Sequence, residues 1–183
     1  MTISKVLSEA VFRLELGSGD LAGAIEELAD ALSGAEGVTD FPALLSELGA
    51  RGRRASMVGE GEVAIVHAFS PAVDRPCLAL GRSPAGIAVD SPAGPLVHFV
   101  CILLVPPGKR RAGFRLLNGL VVLLREPMVR TQLLLAETPE EALAICRETE
   151  GSRWATTAVW LKERLAAALR PSAAAGIASG DKA

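Results

Sequence analysis

His67 is the residue best placed for chemistry in this 183-residue chain. It stands in the stretch MVGEGEVAIVHAFSP, Met57 to Pro71, at the end of a short apolar run that follows a Gly/Glu loop. An imidazole at the mouth of a strand can accept a phosphoryl group, ligate a metal, or serve as a polar strand end. As a neutral ring it is nucleophilic near pH 7, provided a hydrogen bond to the other nitrogen fixes the tautomer. A metal reading needs partners, and the chain has two histidines and three widely spaced cysteines, Cys77, Cys101 and Cys146, each in an apolar pattern. With no Cys-x-x-Cys pair, neither a zinc site nor a disulfide framework is expected, and the thiols read as small buried side chains. The second histidine, His98, lies within an apolar strand and is expected to hold a backbone partner. No cofactor is expected either. There is no Gly-Lys-Ser/Thr phosphate loop, serine elbow or paired-carboxylate motif, and GEGE puts carboxylates where an anion would sit.

Composition narrows the partners. With 19 basic and 21 acidic residues the formal charge is -2, so the footprint of a nucleic-acid binder is missing and any anion binding must be local. The longest apolar run, LVHFVCILLVPP from Leu96, is far short of a membrane span, and Met1 to Leu16 has no signal-peptide layout. The expectation is a soluble cytoplasmic protein without membrane insertion. The length suits one domain with appendages.

The elements that must position His67 follow from the periodicities. AVFRLEL, Ala10 to Leu16, alternates as a half-exposed strand. Leu21, Ile25, Leu28 and Leu32 fall at helical spacing behind Ser18 or Asp20 as cap. TDFPALLSELGARGRR makes a second helix, with Thr39 or Asp40 as cap, Leu44, Leu45 and Leu48 on one face, Gly49 to end it, and Arg51, Arg53 and Arg54 behind. Three β-like runs come next: EVAIVHAF, RPCLALGRS and PLVHFVCILLVPP. The last is apolar at nearly every residue, as expected of a strand covered on both faces. Gly113 to Glu126 fits helix or strand; its length favours helix, while Asn118-Gly119 weakens that reading. Pro127 starts another helix. In ETPEEALAICRE a capping box is expected, with Thr138 accepting from the backbone of Glu141 and the Glu141 carboxylate reaching back.

Strands alternating with helices argue for an α/β layer fold. In the same order and spacing stand SMVGEGEVAIVH, VHFVCILLVPP, LLREP and TPEEAL. By these segments the chain resembles the type-2 IIA domains of the sugar phosphotransferase system, the fructose, mannitol and nitrogen-regulatory class, over about its first 148 residues. The resemblance implies a single α/β domain over 1–150. It would have a mixed central sheet of about four or five strands flanked by helices on both sides. Residues 151–170, RWATTAVWLKERLAAALR within them, read as an appended amphipathic helix, and 171–183 as a disordered tail. Trp154, Trp160, Leu161 and Leu165 would pack onto the core or form the seam of a homodimer.

The resemblance places His67 on the histidine that such proteins phosphorylate, and Ser56 on a serine able to donate to phosphoryl oxygens. It also exposes departures. The family threonine is Met57, glycines give way to Glu60 and Glu62, the proline before the histidine is Val66, and a usual cation is Phe69. A second family histidine falls on Gly113. Against these losses stand two basic clusters, Arg51 to Arg54 and Gly108 to Arg111. In the family fold both would lie near the histidine, where Arg54 and Arg111 can meet a phosphoryl group or an acidic partner. They can equally be solvated loops, the first of them merely stabilising a helix C-terminus. Two functions remain open. One is a IIA-like regulatory protein phosphorylated on His67 by a histidine phosphocarrier protein. The other is a binding module that has kept the scaffold, lost the chemistry, and regulates a protein partner by contact.

Overall fold

A computed structural model describes residues 3–51, 56–58, 62–89 and 96–151. The chain runs α1 (Ile3–Ser8), β1 (Val11–Arg13), α2 (Leu21–Ala31), α3 (Phe41–Arg51), β2 (Ser56–Val58), β3 (Val63–Phe69), β4 (Cys77–Ala88) and β5 (Leu96–Val105). A 3-10 turn at Pro107–Lys109 then leads into α4 (Arg110–Arg125), α5 (Pro127–Leu135) and α6 (Pro139–Gly151). The expected appended helix and tail, with Trp154, Trp160, Leu161 and Leu165, lie outside the described residues, as do Arg53, Arg54 and Glu60.

The five strands form one sheet in the order β1-β4-β5-β3-β2. β1 runs parallel to β4 and β3 parallel to β5, whereas β4 and β5, like β2 and β3, pair antiparallel. This is the mixed sheet that the resemblance implies. β5 is central, and from Phe99 to Val105 every residue is buried, which is why its sequence shows no alternation. In β3 successive side chains face opposite layers. Ala64, Val66 and Ala68 join the core under α2 and α3 with Ile25, Leu28, Leu44 and Leu48. His67 and Phe69 belong to the other face, where α4, α5, α6 and α1 lie.

Local chemistry starts the helices where expected. The Asp20 carboxylate accepts from the N–H of Gly23 at 2.9 Å and that of Asp40 from Ala43 at 3.0 Å. Glu141 N–H donates to Thr138 Oγ1 at 3.1 Å, while the Glu141 carboxylate accepts from the N–H of Glu137, one residue before the cap. The ambiguous segment is helical from Arg110 onward because Gly113, Leu116, Leu120, Leu123 and Leu124 make one buried stripe.

Four boundaries differ from the sequence reading. α1 shows no helical period in six residues, yet Val6 and Leu7 are buried. β1 is three residues long, not seven, although the N–H of Leu16 still donates to the Arg82 carbonyl at 2.8 Å. Gly49 does not end α3, which runs on to Arg51; a Cβ at Gly49 would meet nothing within 4 Å. β4 continues five residues past Ser83, through Pro84 and Gly86, because its register with β5 shifts between Arg82 and Ile87. In that bulge Gly86 has φ +81°, and Pro84 is not required to donate to the ladder.

Two arginines are buried in the second layer, Arg82 at 7% exposure and Arg130 at 5%. Arg82 Nη1 donates to the carbonyls of Leu133, Leu134 and Ala136 at 2.7–3.0 Å, and Nε to Leu14. It closes the C-terminus of α5, whose dipole favours a cation there. Arg130 does the same for α4, bonding the carbonyls of Leu124 and Arg125, and its Nε donates to the Glu62 carboxylate.

Candidate functional site

His67 sits near the C-terminal end of β3, half-buried, with Leu103 of β5 as its parallel neighbour. Two residues on, and on the same face, Phe69 pairs with Val105, after which β5 leads through Pro106 into the basic start of α4. Parallel strands carry their connections beyond their C-terminal ends, so the histidine and the N-terminus of α4 are brought to the C-terminal end of β3 and β5.

The packing there is aromatic. The rings of His67 and Phe69 stand edge to face with centroids 6.5 Å apart, and Phe69 meets Phe114 of α4 in the same manner at 5.3 Å. The Arg110 guanidinium lies over the Phe69 ring, its Cζ 4.4 Å from the centroid. Gly113 faces the other contact: a Cβ there would come within 2.7 Å of Phe69 Cε1 and 3.1 Å of Val105 Cγ1. The two departures at 69 and 113, far apart in sequence, are therefore one packing event. The ring occupies space that a side chain on α4 would otherwise need.

The charge pattern is unusual for a helix start. Lys109, Arg110 and Arg111 crowd the N-terminus of α4 with no acidic residue in its first turn, although the helix dipole favours anions there. Lys109 Nζ donates to the Asp74 carbonyl at 3.2 Å. Arg111 is exposed on the first turn, whereas the cation stacked beside the His67 strand is Arg110, which the sequence reading did not single out. The spacing GKRR could not separate the two, since a one-residue step along a helix turns a side chain by about 100°.

Ser56 is the cross-strand partner of Ile65, two residues before His67 on the neighbouring strand, so the backbone brings the serine's position close to the histidine. Arg54 lies outside the described residues. Glu62 does not face the site. It precedes β3, five residues or roughly 16 Å of strand from His67, and pairs with Arg130. Its carboxylate is thus turned to Arg130 and not to the histidine. His98 has the backbone partner expected of it, its Nδ1 donating to the Ser83 carbonyl at 3.1 Å.

All three cysteines are free and buried. Burial raises the thiol of Cys77 to about 11 and that of Cys146 to about 12, and pushes Cys101 higher still, so none is poised as a nucleophile. An apolar groove of about 270 Å³ lies between α2 and α3, lined by Ala22, Ile25, Leu45 and Leu48. It belongs to the layer on the opposite face of the sheet from His67. Among the described residues no helix is long and apolar enough to cross a membrane.

The family model described as Phosphoenolpyruvate-dependent sugar phosphotransferase system, EIIA 2, matches residues 5–149. The fructose-specific EIIABC component of Bacillus subtilis is 29% identical over 149 residues, which cover 81% of this chain but only 23% of that protein. The fructose-specific EIIA component of Haloferax volcanii is 31% identical over 147 residues, covering 80% of this chain and 95% of that one. Among solved structures, the nitrogen regulatory protein IIA-Ntr of Neisseria meningitidis is similar with a TM-score of 0.66 and 25% identity, over 79% of this chain and 98% of that one.

Proposed function

From the membership of this chain in the type-2 EIIA family of the phosphoenolpyruvate-dependent sugar phosphotransferase system, we propose that it is a IIA-like regulatory protein that takes a phosphoryl group onto His67. The donor is a phosphorylated histidine phosphocarrier protein. A lone pair on a His67 ring nitrogen attacks phosphorus as the P–N bond to the donor's histidine breaks, and the electron pair returns to the donor ring. His67 carries the phosphoryl group until an acceptor's nucleophile or water takes it. The observation that supports this reading most is the place of His67, half-buried at the C-terminal end of β3 with the basic start of α4 beside it. The cluster Lys109 to Arg111 supplies positive potential for an incoming anionic donor.

The regulatory part of the reading draws support from Phe69 and Gly113. A site with an aromatic ring where relatives of this class carry a cation has lost charge-assisted bonds worth roughly 1.5–3 kcal/mol each. It suits a phosphoryl group held as a mark better than one passed on at high flux. The likeness to a nitrogen regulatory protein points the same way. A second reading, a contact module without phosphorylation, is favoured by Phe114, which is 54% exposed and packs on Phe69 beside the histidine. An apolar patch with basic residues around it can hold a partner with no chemistry at all.

The test is to incubate the protein with phosphoenolpyruvate, enzyme I and the histidine phosphocarrier protein, and weigh it intact at neutral pH, with His67→Ala as control. An added, acid-labile phosphoryl group on the wild type alone is expected. Its absence, while a parallel fructose-type IIA domain is labelled, would refute the carrier reading for that donor and leave binding by contact.

A further inference from the structure

Phe69, Gly113 and Arg110 differ in type but meet at one point. Phe69 is on the His67 face of β3, two residues along. Its ring fits because Gly113 offers no Cβ; one would stand 2.7 Å from Cε1. Phe114 steadies the ring edge-on at 5.3 Å, and on it rests the Arg110 guanidinium, with Cζ 4.4 Å from the centroid. A guanidinium held over a ring through its Cζ still carries N–H donors that can reach an oxyanion. Among the described residues no carboxylate pairs with Arg110, although three cations stand together at the start of α4, where the dipole disfavours them. Lys109 answers the Asp74 carbonyl and Arg110 the Phe69 ring, and the ring contact leaves the guanidinium able to take an anion as well.

We infer that Phe69, Gly113 and Arg110 form one oxyanion-holding unit, in which the ring acts as a platform that sets the Arg110 guanidinium to bind the oxygens of a tetrahedral anion at His67. Arg110 makes the contact and Phe69 is the positioning residue. The unit offers the site, from a helix, part of the positive charge that Phe69 removed from the strand. That the anion is a phosphoryl group on His67 rests on the function proposed above; the binding of a tetrahedral oxyanion does not.

The experiment uses the full chain with labelled histidine, titrated with inorganic phosphate while the His67 ring signals are followed by NMR. The wild type is expected to show a saturable shift. Arg110→Ala should weaken the affinity at least about tenfold, the effect of one lost charge-assisted bond. Arg110→Lys should restore part of it, since the charge returns without the planar fork. Phe69→Ala, which keeps Arg110 but removes its platform, should fall between Arg110→Ala and the wild type. Arg110 is exposed, so an unchanged melting temperature is expected to show that its variants fold. Equal phosphate affinity in wild type and Arg110→Ala, or no saturable His67 shift in the wild type, would overturn the inference. Phosphorylation by the phosphocarrier protein separates the two ideas. Arg110-dependent phosphate binding without any phosphorylation would uphold the unit and refute the carrier role. Phosphorylation at equal rates and equal phosphate affinity in both proteins would do the reverse.

Discussion

Replacing Gly113 by alanine sets two effects of known sign against each other. In an exposed helix the change stabilises by up to about 1 kcal/mol, because glycine loses more backbone freedom on folding. Here the new methyl would lie 2.7 Å from Phe69 Cε1 and 3.1 and 3.2 Å from the two Val105 methyls, well inside the roughly 3.5–4.0 Å of a favourable carbon contact. The ring has little room to retreat, since Phe114 meets its edge, Arg110 covers a face and Val105 behind is buried. Overpacking of this kind costs about 1–3 kcal/mol, so Gly113→Ala should range from neutral to about 2 kcal/mol destabilising. In a Phe69→Ala background the closest contact disappears and only the Val105 contacts oppose the helical gain, so the change should range from neutral to about 1 kcal/mol stabilising. The coupling between the positions is then about 1–3 kcal/mol, readable from urea unfolding of the four proteins in a double-mutant cycle. For a domain of this size each kcal/mol moves the melting temperature by roughly 2–4 °C, so calorimetry can check it. The same change in stability in both backgrounds would show that ring and glycine are not one packing event, and the reasoning built on them would fail.

Other expected outcomes test the surrounding fold. Arg82→Met leaves the carbonyls of Leu14, Leu133, Leu134 and Ala136 without their donor and should cost roughly 3 kcal/mol or more by chemical denaturation, with Arg82→Lys recovering only part. The three cysteines should stay unmodified by a thiol reagent at pH 8 until the protein unfolds, and Cys77, with the least raised thiol, should react first as the pH climbs. Ser18 donates to the Glu27 carboxylate and holds it below the ordinary 4.5. The stability from this bond is thus present above the unfolded value and lost as pH falls through the lower folded one; Ser18→Ala should flatten that part of a stability-versus-pH curve. Thr138→Ala should cost about 0.5–2 kcal/mol of thermal stability through the start of α6, and no change would remove the capping account.

What could be read from the sequence was whatever repeats within an element. The all-apolar β5, the stripe of α2 and the caps at Asp20, Asp40 and Thr138 are visible because their signals are local, whereas α4 was favoured over a strand by its length alone. Phe69 and Gly113 were visible as departures from a family pattern, yet not as a pair, because 44 residues separate two atoms that the fold brings to van der Waals distance. Arg82 and Arg130 looked like ordinary polar residues in GRS and VRT; only the convergence of helix C-termini on them makes them core. The choice between Arg110 and Arg111 needed the helix phase at Pro107, which a 3-10 turn resets.

The acceptors facing Arg82 are backbone carbonyls, not carboxylates, and this bears on how the protein answers ionic strength. A buried cation held by dipoles has no mobile counter-charge for salt to displace, unlike the exposed Arg75–Glu36 pair at 2.9 Å. Nor can an arginine discharge within the range where proteins survive. The hold of Arg82 on the end of α5 is therefore insulated from electrolyte, while the Arg130–Glu62 pair, with its carboxylate partly exposed, and Lys109, Arg110 and Arg111 are open to it. Raising salt while watching the melting point and the phosphate affinity together separates the two: the melting point should move little, and the affinity at the C-terminal end of β3 should weaken.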